Sequence, residues 1–156
     1  MTKGLQDEIQ QKKPFRSIYE EAELNMVRTS SIIADQMAQV FKPYGITGAQ
    51  YNVLRILKGS EAEGLCRNAV RDRMLTRMSD MTRMLDRMEE AGLVERERDE
   101  SDRRHVTTHI TVAGKKILKD LEGVLAERQQ EQLGHMSERD LKALIELLTR
   151  ARNKKE

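Results

Sequence analysis

Apolar residues recur at intervals of three and four from Tyr19 through Ala22, Met26, Ile33, Met37 and Val40, with Ser30 filling the missing step. This spacing predicts one stripe of a long helix. Pro43 and Gly45 stop it near Lys42. Thr47 offers an N-cap for a second helix carrying Ala49, Val53, Leu54, Ile56 and Leu57, and Gly59 closes it. After a loop from Gly59 to Gly64, a short helix is predicted over Leu65 to Met74, with Leu65, Ala69, Val70 and Met74 inward. A further helix runs from Met78 to Glu90, where Met78, Met81, Met84, Leu85 and Met88 share one face and Gly92 marks the stop.

From Leu93 the pattern changes to Leu-Val-Glu-Arg-Glu-Arg, then a polar block from Asp99 to Arg104, then Val106-Thr-Thr-His-Ile-Thr. Two extended segments around a charged turn read as a β-hairpin. Thr111 caps the next helix, whose stripe is Ile117, Leu118, Leu121, Val124 and Leu125, ending near Gln132. Gly134 interrupts, and Ser137 with Asp140 resembles a capping box for a last helix bearing Leu141, Leu144, Ile145, Leu147 and Leu148. The predicted order is four helices, a hairpin and two helices, a mainly α fold with a small β-hairpin (α+β). The first and last helices are too long and too apolar for the small central unit to cover. Packing them against a second copy of the chain buries those stripes and gives a two-fold homodimer.

The 156 residues suit a single domain, and with no Trp, two Phe and three Tyr the apolar mass is Leu, Ile, Met, Val and Ala. No run of about 18 uncharged apolar residues exists, and Met1 to Lys13 is polar, so neither a membrane span nor a signal peptide is expected. The single cysteine, Cys66, cannot form an internal disulfide, which fits a reducing, cytoplasmic setting. The net charge of +2 says little about partners, and between Arg71 and Arg104 nine Arg face ten Asp and Glu. Bulk charge does not argue for nucleic acid; arrangement has to carry that case.

The arrangement is suggestive. Two short helices followed by a charged hairpin suit duplex DNA, since a helix fits the major groove and an extended tip reaches the minor groove. Away from the Met stripe, Arg77, Ser79, Asp80, Thr82 and Arg83 leave donors and acceptors free near the N-terminal end of the second helix. That end also presents backbone N–H groups suited to phosphate.

The segments Ile46-Thr47-Gly48-Ala49-Gln50, Met81-Thr82-Arg83-Met84-Leu85-Asp86-Arg87-Met88-Glu89, Ala91-Gly92-Leu93-Val94, Asp102-Arg103-Arg104 and Thr111-Val112-Ala113-Gly114 closely resemble the MarR family of winged helix-turn-helix transcription regulators. The departures are Met84, Met88 and Ile110, where the family more often has leucine. The resemblance implies a single MarR-type domain over 1–156, a winged helix-turn-helix lobe at 47–111, and dimerisation helices at 17–42 and 112–153. It implies that Met78 to Glu90 is the recognition helix and Leu93 to Ile110 the wing. Arg77, Ser79, Thr82 and Arg83 would then meet bases or phosphates, and Arg103 or Arg104 would enter the minor groove, where a narrow groove attracts arginine. Asp102 would orient the Arg104 guanidinium through a charge-assisted bond.

The same resemblance implies a repressor that answers to a small-molecule effector in a cleft lined by Met26, Ser30, Ile33, Tyr44 and Tyr51. Those side chains serve equally well as ordinary interface or core. The alternative function is a winged-helix protein-interaction module without DNA binding, in keeping with the balanced charge around the recognition helix. The Met stripe reads as adaptable core filling. Cys66 reads as packing, with thiol sensing the minor alternative. His105 and His109 on one strand face would stand ~13 Å apart, too far to share a metal ion. No zinc spacing, phosphate-cradling loop or nucleophile-base pair occurs, so no metal, cofactor or enzymatic activity is expected.

Overall fold

The computed structural model describes residues 3–98 and 106–153. Its elements are α1 (Leu5–Glu8), α2 (Ile18–Phe41), α3 (Gly48–Lys58), β1 (Leu65–Cys66), α4 (Arg67–Asp72), α5 (Met81–Glu90), β2 (Val94–Arg98), β3 (Val106–Ile110), α6 (Val112–Leu133) and α7 (Glu138–Arg152). A 3-10 turn at Lys42–Tyr44, with Pro43 in its first positions, ends α2 where Pro43 and Gly45 predict a stop. The mainly helical architecture with a small antiparallel sheet agrees with the sequence expectation.

Local chemistry explains most boundaries. The Ser17 hydroxyl accepts from the Glu20 N–H at 3.1 Å and starts α2. Thr47 and Gln50 form a reciprocal capping box at α3, with Gln50 N–H to Thr47 Oγ1 at 3.2 Å and Thr47 N–H to Gln50 Oε1 at 2.9 Å. At α7 the Ser137 hydroxyl accepts from the Asp140 N–H at 3.2 Å and donates to the Asp140 carboxylate at 2.6 Å. Each cap satisfies backbone donors that a helix start leaves unpaired.

The core is built around α3, whose Val53, Leu54 and Leu57 are almost completely buried. Against them pack Val40 and Phe41 of α2, Val70 of α4, Met81, Leu85 and Met88 of α5, Leu93, Val94 and Ile110 at the base of the sheet, and Leu121 and Leu125 of α6. Phe41 stacks on Tyr51 with ring centroids 4.8 Å apart. Each fully buried aliphatic side chain contributes about 1.5–3 kcal/mol of transfer free energy.

Three elements differ from the sequence reading. Leu65 and Cys66 are a strand and not the start of a helix, because they pair with Thr108 and Thr107 of β3 and make a three-stranded sheet in the order β1-β3-β2. The recognition-helix candidate starts at Met81 and not Met78, because the Asp80 carboxylate accepts the Arg83 N–H at 3.0 Å. An aspartate is better placed as a cap than inside a helix. The short α1 was not expected; its Leu5 is buried.

The base of the hairpin is held by Thr111. Its N–H donates to Leu93 O at 3.1 Å, its hydroxyl donates to Gly92 O at 2.7 Å, and the same oxygen accepts the Gly114 N–H at 3.1 Å. Gly92 takes φ 71°, a left-handed turn that ends α5 and aims its carbonyl at Thr111. Gly114 lets the first turn of α6 approach the strand: a Cβ there would lie 2.5 Å from Leu93 O and 2.8 Å from Ile110 Cγ1.

Gly114→Ala therefore forces α6 away from the sheet, and the intrinsic helix preference for alanine does not compensate. Thermal unfolding should show a loss of about 1–3 kcal/mol, the usual cost of overpacking. An unchanged or raised Tm would contradict this account of the junction.

Candidate nucleic-acid interface

Helix α5 divides cleanly by face. Met81, Leu85 and Met88 are buried, and Met78 and Met84 pack partly against the same core, so the Met stripe is core as expected. Thr82 and Arg83 lie in the first turn and are exposed. Ser79, expected inside the helix, precedes it, as does Arg77 just before the predicted start, and both are exposed. Residue spacing puts Arg83 and Arg87 on one exposed edge, and Thr82, Asp86 and Glu89 on the edge nearer the sheet. Among the described residues, no carboxylate pairs with Arg77 or Arg83, whereas Asp80 is occupied as the helix cap.

The edge facing the sheet is held by β2. Arg96 Nε donates to Glu89 Oε2 at 2.9 Å, its Nη2 donates to the same oxygen at 2.5 Å, and that nitrogen lies 2.7 Å from Asp86 Oδ1. The Arg96 backbone N–H also donates to Glu89 Oε1 at 3.1 Å. Hydrogen bonds from the guanidinium, ahead of charge attraction, hold the Glu89 carboxyl below the usual carboxylate range and push Arg96 up. At the first turn, Arg67 of α4 donates to Thr82 Oγ1 at 3.0 Å. Arg67, Asp86, Glu89 and Arg96 were not candidates from sequence. The i, i+3 spacing of Asp86 and Glu89, with Glu89 seven residues before Arg96, was the available signal.

The hairpin itself pairs as expected, Val94 with Ile110 through Arg98 with Val106. The predicted wing residues Asp102, Arg103 and Arg104, and His105, lie outside the described residues. Cys66 is exposed, contrary to the packing expectation, because as an edge-strand residue at the start of α4 it lines a cavity of about 450 Å³ with Arg67, Thr82, Leu85, Arg96 and Thr108.

The candidate effector residues do not converge. Met26, Ser30 and Ile33 are exposed along α2, and Tyr44 is half-buried with its hydroxyl 3.5 Å from Asp120 O. Tyr51 alone of the five lines a cavity of about 680 Å³ between α3 and α6, with Arg55, Lys115, Lys119 and Glu122. At its rim Glu61 receives Lys58 and Lys115, each at 2.5 Å, and these bonds hold its carboxyl down to about 2, Lys115 contributing most. Among the described residues no His, Cys, Asp and Glu cluster could hold a metal ion, and no helix is long and apolar enough to cross a membrane.

Comparison with known proteins gives a consistent picture. Residues 44–105 match the model of the MarR family. A MarR transcription factor from Planctomyces limnophilus is 35% identical, with a TM-score of 0.68 over 87% of this chain and 98% of that one. The BpsR structure from Bordetella bronchiseptica, on regulation of its DNA binding by 6-hydroxynicotinic acid, shares the fold at 17% identity, with a TM-score of 0.77 over 92% of this chain and all of that one. A Thauera aromatica protein ascribed to regulation of the hcr operon is 27% identical over 106 residues, 68% of this chain. The match spans 63% of that relative, less than two thirds of its length.

The Glu61 clamp sets a pH dependence. Its folded carboxyl lies far below the ordinary 4.5, so the stabilisation is complete above that value and is lost as pH falls toward about 2. Glu61→Gln should unfold more easily than the wild type at pH 6, and by pH 3 the gap should fall to roughly half or less. Urea unfolding at the two pH values measures it. A gap independent of pH would show that Glu61 acts through packing alone. Because these groups are partly exposed, added salt should narrow the gap too.

Proposed function

The chain belongs to the MarR family of transcription regulators, and from that premise we propose that it binds duplex DNA sequence-specifically, as a homodimeric, effector-responsive repressor acting in the cytoplasm on a pseudo-palindromic operator. It is a transcription regulator and not an enzyme. The observation that carries the reading is the exposed edge at the start of α5. There Arg77, Ser79, Thr82 and Arg83 stand free of the core, while nearby acidic groups are consumed internally by the cap at Asp80 and by Arg96. A helix presenting that edge beside a hairpin fits the major groove with the hairpin toward the minor groove. In this reading the lobe is 47–111, and Arg103 or Arg104 serves the wing, with Asp102 orienting Arg104.

Dimerisation is supported by the apolar side chains that α2, α6 and α7 leave uncovered: Ile18, Tyr19 and Val27, Val112 and Val124, Ile145 and Leu147. Tyr19 is 83% and Ile145 64% exposed, and a second copy burying both along 17–42 and 112–153 accounts for them. The effector would be a small molecule seated between the helical scaffold and the lobe. Support for it is the DNA binding of BpsR, regulated by 6-hydroxynicotinic acid, and a cleft beside Tyr51. Met26, Ser30, Ile33 and Tyr44 would complete such a site only if the partner subunit closes over α2.

Two measurements test the proposal. Protection of the DNA flanking its own gene, with affinity falling steeply as salt rises, is the expected result. Absence of binding to any duplex at low salt would favour the protein-interaction module. On the protected site, Arg83→Ala or Arg77→Ala should cost about 1–3 kcal/mol and relax preference at one base pair if the side chain reads a base. Equal losses on random DNA would mark a phosphate contact, and wild-type binding by both variants would remove α5 from the groove. For the dimer, dilution should lower the Tm, because the partner completes the core. Sedimentation as a well-folded monomer at micromolar concentration would overturn that part.

A further inference from the structure

The two carboxylates on α5 that face the sheet are gripped by a single cation from the hairpin. Arg96 stands on β2 opposite Thr108, next to the point where the sheet loses its third strand. β1 covers only Thr107 and Thr108, so the ladder beyond, Arg98 with Val106, is two-stranded. A two-stranded ribbon is marginal by itself and free to twist. Its direction relative to α5 must be set by whatever ties strand to helix. Arg96 makes that tie with three close approaches to Asp86 and Glu89 and a fourth bond from its own backbone N–H. The side chain is 26% exposed, and its partners stand one turn apart on the helix, so the planar guanidinium bridges two fixed points.

We propose that Arg96 is a positioning residue for DNA recognition: by clamping Asp86 and Glu89 it fixes the hairpin against α5, so that helix and wing engage one duplex together. The inference rests on the DNA-binding reading above. It differs from simple charge neutralisation, in which Arg96 would serve only to mask two carboxylates from phosphate. The two accounts predict opposite signs. If masking is all, removing the carboxylates strengthens binding to a polyanion. If clamping matters, removing them loosens the wing and weakens specific binding although two negative charges are gone.

The test uses the full chain, with a duplex enriched by the wild-type protein from a randomised pool and an unrelated duplex as reference. Arg96→Gln should lose about ten-fold or more on the enriched duplex and no more than about three-fold on the reference, with a shallower salt dependence on the enriched one. The Asp86→Asn, Glu89→Gln double variant should lose in the same direction, and adding Arg96→Gln to it should cost little more, since the clamp is already open. Arg96→Lys keeps the charge but cannot span both carboxylates, so it should recover only part of the loss. Should Arg96→Gln fail to melt cooperatively, the double variant carries the sign by itself. Tighter binding by the double variant, wild-type binding by Arg96→Gln, or equal losses on both duplexes would overturn the inference while leaving DNA binding intact. If the wild type enriches no duplex, the DNA-binding reading falls, and the clamp's role with it.

Discussion

The root of the hairpin is anchored at Thr111, and the elements around it take their places from that junction. One residue ends β3, caps α6, and bonds twice to the Gly92–Leu93 turn that ends α5. Three elements are thereby fixed at one point, and Gly114 permits it by leaving no side chain between α6 and Leu93 O. The consequence reaches beyond the sheet. Helix α6 carries Leu121 and Leu125 into the α3 core and leaves Val124 outside. Its exit angle from the sheet therefore sets where its outer face points relative to α5. In the homodimer proposed above, that angle would set the separation of the two α5 helices, a quantity that has to match the duplex repeat.

The near-neutral charge of the region from Arg71 to Arg104 looks different once the partners are known. Among the described residues, three of its acids are held within the fold: Asp80 caps α5, and Asp86 and Glu89 hold Arg96. A carboxylate committed to a guanidinium or a helix end presents little net negative potential outward. Arg77 and Arg83, which have no acidic partner among the described residues, decide the character of the surface, and a count over the segment cannot distinguish the two kinds.

The long elements were legible because their periodicity is local. The stripes of α2, α3 and α6 and the caps at Thr47, Thr111 and Ser137 follow from residues three and four apart. What escaped depends on contacts distant in sequence. Leu65 and Cys66 suit a helix by pattern and become a strand only because Thr107 and Thr108, some forty residues on, offer a free edge. Arg96 carries no local signal of its role, since its partners belong to another element. By spacing alone Asp80 offers a free acceptor; its role as cap depends on where the helix begins, the boundary that periodicity fixes least well. The effector residues illustrate the converse: Tyr51 lines the cleft, but Met26, Ser30 and Ile33 run along a face that the single chain leaves open.

The composition of α5 gives these polar contacts their weight. Its inward face is largely methionine, with Met81 and Met88 buried and Met84 partly so. An unbranched thioether adapts to irregular space and specifies a packing partner less sharply than Leu or Ile. Such a face buries well yet constrains rotation about the helix axis weakly. The rotation is held from outside: Asp80 closes the first turn, Arg67 takes Thr82, and Arg96 takes Asp86 and Glu89. The exposed edge bearing Arg83 and Arg87 is thus aimed by directional bonds on the flank of the helix more than by the shape of its core. That division leaves the core free to accept methionine for leucine while the geometry of the outer face is kept.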